Sequence, residues 1–85
     1  MDTDKVQYIE TEENFKKLDL KYSVKNDSNI EIKVYDPNGI LKDSGIVSIN
    51  TPYNESFDNL QGKWEIELIP NNNDKTFIES VITKN

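Results

Sequence analysis

Three segments of the chain alternate apolar and polar residues without a break. They are Leu18-Asp19-Leu20-Lys21-Tyr22-Ser23-Val24-Lys25, Ile30-Glu31-Ile32-Lys33-Val34-Tyr35 and Lys63-Trp64-Glu65-Ile66-Glu67-Leu68. A strand sends successive side chains to opposite faces, so a period of two marks a strand with one face in a core and the other toward water. Asn26-Asp27-Ser28-Asn29 is a cluster of turn residues between the first two segments, which predicts that they pair as a β-hairpin.

The rest of the chain continues the pattern less cleanly. Asp36-Pro37-Asn38-Gly39 is a turn, because proline presets one dihedral and asparagine or glycine accepts positive φ after it. Residues 40–50 resume a strand that Gly45 interrupts, predicting two short strands or one strand with a bulge. Thr51-Pro52 predicts an edge or a crossing connection, since proline cannot donate to a ladder. Tyr53, Glu55 and Phe57 suit another short strand, as do residues 6–9 and 76–83. Residues 11–18 read either as extended chain or as a short helix, with Thr11 as its cap and Glu12 and Glu13 at its positive end. The sum is six or seven short strands about 8–12 residues apart. That pattern predicts an all-β chain, an antiparallel β-sandwich forming one domain over residues 1–85. Residues 5–10 and 40–57, the weakly patterned stretches, are its expected edges.

Composition decides which functions fit. Only 34% of the 85 residues are hydrophobic and 31% are charged, so the core depends on the placement of its few apolar residues. With no cysteine there is no disulfide and no thiolate zinc site. Sixteen acidic residues face ten basic ones, all lysine, for a net charge of −6. Without a basic face or any arginine, neither a nucleic acid nor an anionic membrane surface is an expected partner. No apolar run approaches the roughly 20 residues of a membrane span, and Met1-Asp2-Thr3-Asp4-Lys5 carries no signal-like stretch. The chain is therefore expected either in the cytoplasm or outside the cell after removal of a leader.

Chemistry is sparse. Histidine is absent as well as cysteine, so the commonest general base and the most reactive nucleophile are missing, and no enzyme activity is expected. Glu65 and Glu67 share one strand face with Lys63 and read as a solvated face. Asp36, Asn38 and Asp43 have the oxygen ligands that calcium prefers, but too few at unsuitable spacing. They read as turn residues, and no metal or cofactor is expected. Trp64 shares parity with Ile66 and Leu68, which predicts a core position beside Leu20, Ile32 and Val34 rather than an exposed platform. Ile69 falls off that phase. Four residues are candidate contacts: Tyr35, on the polar side of its strand; Tyr53, after Thr51-Pro52; and Ile46 and Val47, in the flat stretch after Gly45.

Two stretches carry a family resemblance. Ile30 to Gly39 resembles the apolar strand closed by an Asp-Pro-Asn-Gly turn in bacterial surface sandwiches. Leu60-Gln61-Gly62-Lys63-Trp64-Glu65-Ile66-Glu67-Leu68 is similar to their later Leu-x-Gly-x-aromatic-x-apolar strand. Immunoglobulin-like and fibronectin-III-like modules have both in this order, as do pre-peptidase C-terminal and convertase P domains. The chain is shorter than a convertase P domain and lacks the cysteines of antibody domains. The resemblance, over residues 18–83, implies a non-catalytic binding, adhesion or spacer module of a bacterial surface or secreted protein. Its partner would be another protein or a neighbouring domain. The alternative is a free-standing acidic inhibitor or immunity-type protein that binds a basic protein, with its net charge steering the encounter.

Overall fold

In the computed structural model, residues 5–14, 16–25, 29–70 and 78–85 are described. They form seven strands: β1 (Lys5–Thr11), β2 (Lys17–Val24), β3 (Ile30–Tyr35), β4 (Leu41–Val47), β5 (Tyr53–Asp58), β6 (Gly62–Pro70) and β7 (Ile78–Lys84). There is no helix among the described residues, and the 11–18 alternative resolves as a turn at 13–14 followed by β2. The strands make two antiparallel sheets, one of four strands ordered β1-β6-β3-β4 and one of three ordered β5-β2-β7.

Period-two alternation has the expected consequence. Leu18, Leu20, Tyr22 and Val24 from β2, Ile30, Ile32 and Val34 from β3, and Trp64, Ile66 and Leu68 from β6 are all buried in one cluster. Ile9, Val47 and Tyr53 complete it, with Phe57, Ile78 and Ile82 packed at its margin. The expected hairpin between β2 and β3 does not form: β2 pairs with β5 and β7, and β3 with β4 and β6. Alternation says which face is buried but not which strand lies alongside. Here the two strands belong to different sheets, and both bury their apolar faces in the shared core. The turn cluster's residues 26–28 lie outside the described residues.

The hairpin that does form is β3–β4, around Asp36 to Gly39. The Asp36 carboxylate accepts the backbone N–H groups of Asn38 (2.8 Å) and Ile40 (3.0 Å), and Gly39 takes φ +81°. The bulge in β4 falls at Lys42 rather than at Gly45. Val34 faces Asp43 while Tyr35 faces Leu41, leaving Lys42 over. That extra residue reverses the parity of the strand start and sends Leu41 to the outer side beside Tyr35. Gly45 sits in regular register opposite Ile32, on the inner side. Ser48 and Thr51 close a tight turn by reciprocal backbone hydrogen bonds, and Thr51-Pro52 then carries the chain across to the other sheet as β5. The edges are β1, β4 and β5, within the two stretches expected, and β7.

In the constant-type immunoglobulin order the first strand borders the second and the last borders the one before it. In this chain β1 borders β6 and β7 borders β2, so each terminal strand lies on the opposite sheet. One corner secures β1 in that place. The Leu60 carbonyl accepts both the Trp64 indole N–H (2.9 Å) and the Thr11 hydroxyl (2.9 Å). Gly62 then begins β6 at φ +138°, where an added Cβ would stand 2.6 Å from Cβ of Pro37. The Asp-Pro-Asn-Gly turn therefore packs directly on the Gly-x-Trp strand start.

Two substitutions follow from this packing. Replacing Trp64 with alanine should cost about 3–5 kcal/mol in urea unfolding. Gly62→Ala meets both an unfavourable φ and the Pro37 ring, and should cost about 2–4 kcal/mol. The same glycine change made in a Pro37→Gly background should cost measurably less. Equal costs in the two backgrounds would show that the ring contact is not what demands glycine.

Candidate functional site

Neither outer sheet face contributes to the core, and the two faces differ in chemistry. On the three-stranded sheet most outward groups are polar or charged and pair with one another. Asp19 accepts the Ser56 hydroxyl (2.5 Å) and the Asn85 side-chain amide, Lys17 pairs with Asp58 (2.5 Å), and Lys25 pairs with Glu79 (3.2 Å). Lys17 and Asp58 are exposed, and each stabilises the other's charged form, chiefly through their hydrogen bond. Lysine is thereby raised and aspartate lowered from ordinary values. Such pairs add little stability. Val81 is the one large apolar side chain in the central outward row, between Lys21 and nothing further.

The four-stranded sheet is built differently. Register places Tyr8, Glu65, Tyr35 and Leu41 in one row across β1, β6, β3 and β4. The next row is Val6, Glu67, Lys33 and Ser44; the one after holds Ile69, Glu31 and Ile46. Opposed residues in an antiparallel pair share a face, so these side chains form one continuous surface. Tyr8 is 57% exposed, Ile46 52% and Leu41 50%. Lys63, one residue pair away, holds its ammonium 4.8 Å from the Tyr8 ring centroid, a cation–π contact. Tyr8, Tyr35, Pro37, Lys63 and Glu65 line an open cleft of about 460 Å³ at this end of the sheet.

The structure divides the four expected contact residues. Tyr35 and Ile46 lie on this outer face. Val47 does not: it is fully buried, because Gly45 is in regular register and position 47 faces inward opposite Ile30. Tyr53 does not either. Its ring is buried against Tyr22, with centroids 6.4 Å apart, and its hydroxyl donates to Asp43 (2.7 Å). Only the edge of Tyr53 reaches a smaller cleft of about 270 Å³ beside Pro52. Asp36 and Asp43 thus have structural tasks, one in the β3–β4 turn and one on the Tyr53 hydroxyl. Tyr8, Val6 and Leu41 belong to the outer face without having been singled out from sequence. In Val6-Gln7-Tyr8-Ile9 both parities look apolar. The inward set is Gln7, which accepts the Tyr22 hydroxyl (2.6 Å), and Ile9, which faces Trp64. Leu41 changes sides through the Lys42 bulge, which no residue pattern announces.

No family model, curated protein or solved structure matches this chain. Among the described residues no group of three or more acidic side chains is placed to hold a metal ion, and no helix is long and apolar enough to cross a membrane.

The buried tyrosines predict an alkaline limit to stability. Burial pushes Tyr22 from the ordinary value of 10.0 to about 12. Tyr53 is also raised, by burial first and then by the Asp43 carboxylate that holds its proton. A raised tyrosine favours the fold fully below its unfolded pKa, and that contribution is lost as pH climbs through the folded value. The contribution of Tyr22 should therefore disappear between pH 10 and 12. Melting temperatures measured across that range should fall less steeply for Tyr22→Phe than for the wild type. Parallel curves would contradict the assignment.

Proposed function

We propose that this domain is a non-catalytic binding or adhesion module of a bacterial surface or secreted protein, working through the outer face of its four-stranded sheet. The observation that carries this reading is the asymmetry of the faces. One is a lattice of polar and charged pairs with Val81 as its large apolar side chain. The other gathers Val6, Tyr8, Tyr35, Leu41, Ile46 and Ile69 among charged neighbours. Tyrosine with interspersed charge is typical of surfaces that meet proteins, because the ring offers apolar area and a polar tip at low entropic cost.

The immunoglobulin-like relation is part of the proposal. Strands β2, β3, β5 and β6 keep the sheet assignment of the constant-type plan, with β2 beside β5 and β3 beside β6, while β4 borders β3 instead of β5. The Trp64 indole, bonded back to Leu60 at the β5–β6 corner, resembles the corner tyrosine that ties the equivalent strand in immunoglobulin domains. The exchanged terminal strands make the chain a variant of that plan. Setting the module outside the cell rests on the same resemblance. The lack of histidine and cysteine favours a binding role over a catalytic one.

The test is a binding array carrying extracellular proteins and cell-surface polysaccharides, probed with labelled domain. Binding to whichever component is retained should fall about tenfold for Tyr35→Ser and be unchanged for Val81→Ser on the opposite face. Equal loss in both variants would contradict the assignment of the face.

A further inference from the structure

We infer that the outer face of the four-stranded sheet receives a cationic side chain from a protein partner, with a lysine or arginine seated between Tyr8 and Tyr35 against Glu65. The inference rests on the reading of that face as the contact surface and names what it holds.

Geometry is the first support. Glu65 is the register partner of Tyr8 on one side and of Tyr35 on the other. Neighbouring strands lie about 4.8 Å apart, so the two tyrosine backbones stand roughly 10 Å apart with a carboxylate between them. A cation in that gap can come within about 6 Å of both rings while facing an opposite charge. The cleft at this position is open to solvent, so an arriving side chain needs no rearrangement of the fold.

The protein's own chemistry is the second. Lys63 already places an ammonium 4.8 Å from the Tyr8 ring centroid. That lysine reports what the ring accepts, and its flexible stem allows it to yield the position. Any occupant of this ring face displaces the Lys63 ammonium, and a cation, unlike a neutral saccharide, gains a charge–charge attraction to Glu65 in return.

Charge is the third. The outward groups of this face are Glu10, Glu31, Glu65 and Glu67 against Lys33 and Lys63, four negative and two positive, for a net of −2. The chain as a whole carries −6. Lys42, left over at the β4 bulge, has no place in these register rows. A negative surface concentrates basic partners and speeds their approach, and the flanking Leu41 and Val6 offer apolar area to the stem of the incoming side chain.

An amide-resolved NMR titration with an oligolysine peptide tests this directly, with a chito-oligosaccharide titrated in parallel. Oligolysine should shift Tyr8, Tyr35, Lys63 and Glu65, and its affinity should weaken as salt is raised. Glu65→Gln should reduce that affinity about tenfold, and Tyr8→Ala about fivefold. Glu79→Gln, which removes the same charge from the opposite sheet, should leave it unchanged. Each variant must first show the dispersed spectrum of the wild-type fold. If Glu79→Gln weakens binding as much as Glu65→Gln, only net charge is being sensed and the inference fails. If the saccharide shifts these residues and oligolysine does not, the cation is wrong but the binding face stands. If shifts are confined to the three-stranded sheet, both fail.

Discussion

β1 lies against β6, and from that contact come both the closure of the larger sheet and the chemistry of its outer face. The seven register pairs run from Lys5 with Leu68 to Thr11 with Gly62. On the inner side they bring Ile9 over Trp64 and allow Gln7 to take the Tyr22 hydroxyl across the sandwich. On the outer side they bring Tyr8 next to Glu65, which already faces Tyr35. Were β1 beside β2, as in the constant-type order, Tyr8 would lie on the other sheet and the row would end at Glu65.

The far end of this pairing is held by a compact corner. A single carbonyl, that of Leu60, receives a hydroxyl from β1 and an indole from β6, so the first and sixth strands are tied at one atom. The same corner seats Pro37 on Gly62, joining the β3–β4 turn to it. Buried polar groups without partners are costly, and here the two donors and the acceptor satisfy one another. Phe57 packs on Trp64 from the opposite sheet, with centroids 5.7 Å apart, so the corner also connects the two layers. The opposite flank has its own link, the Tyr53 hydroxyl on Asp43, which ties β5 to β4.

How much of this was legible in the sequence depended on what each residue pattern encodes. The parity of β2, β3 and β6 was readable because their buried faces are continuous, and Trp64 fell inside as its neighbours Ile66 and Leu68 required. Strand partners were not readable. The phase of Leu18 to Val24 and of Ile30 to Val34 is the same whether the two strands lie side by side or face each other across a core. Of the candidate site, Tyr35 and Ile46 were visible as off-phase or edge residues. Val47 is buried because the register shift belongs to Lys42 and not to Gly45, and Tyr53 because its ring packs on Tyr22 and its hydroxyl reaches Asp43, neither of which its place after Thr51-Pro52 announces. Tyr8 could not be assigned, since Val6 and Tyr8 on one parity and Ile9 on the other leave the face of β1 to be chosen by tertiary contacts.

The placement of β1 is therefore the claim to test first, and cross-strand nuclear Overhauser effects between backbone protons report it without any substitution. Uniformly labelled protein should give contacts linking Gln7 with Ile66 and Ile9 with Trp64, and contacts linking Leu20 with Ile82 for the other terminal strand. Backbone contacts running instead from β1 to β2, or from β6 to β7, would contradict the account and would take Tyr8 off the face it is proposed to complete.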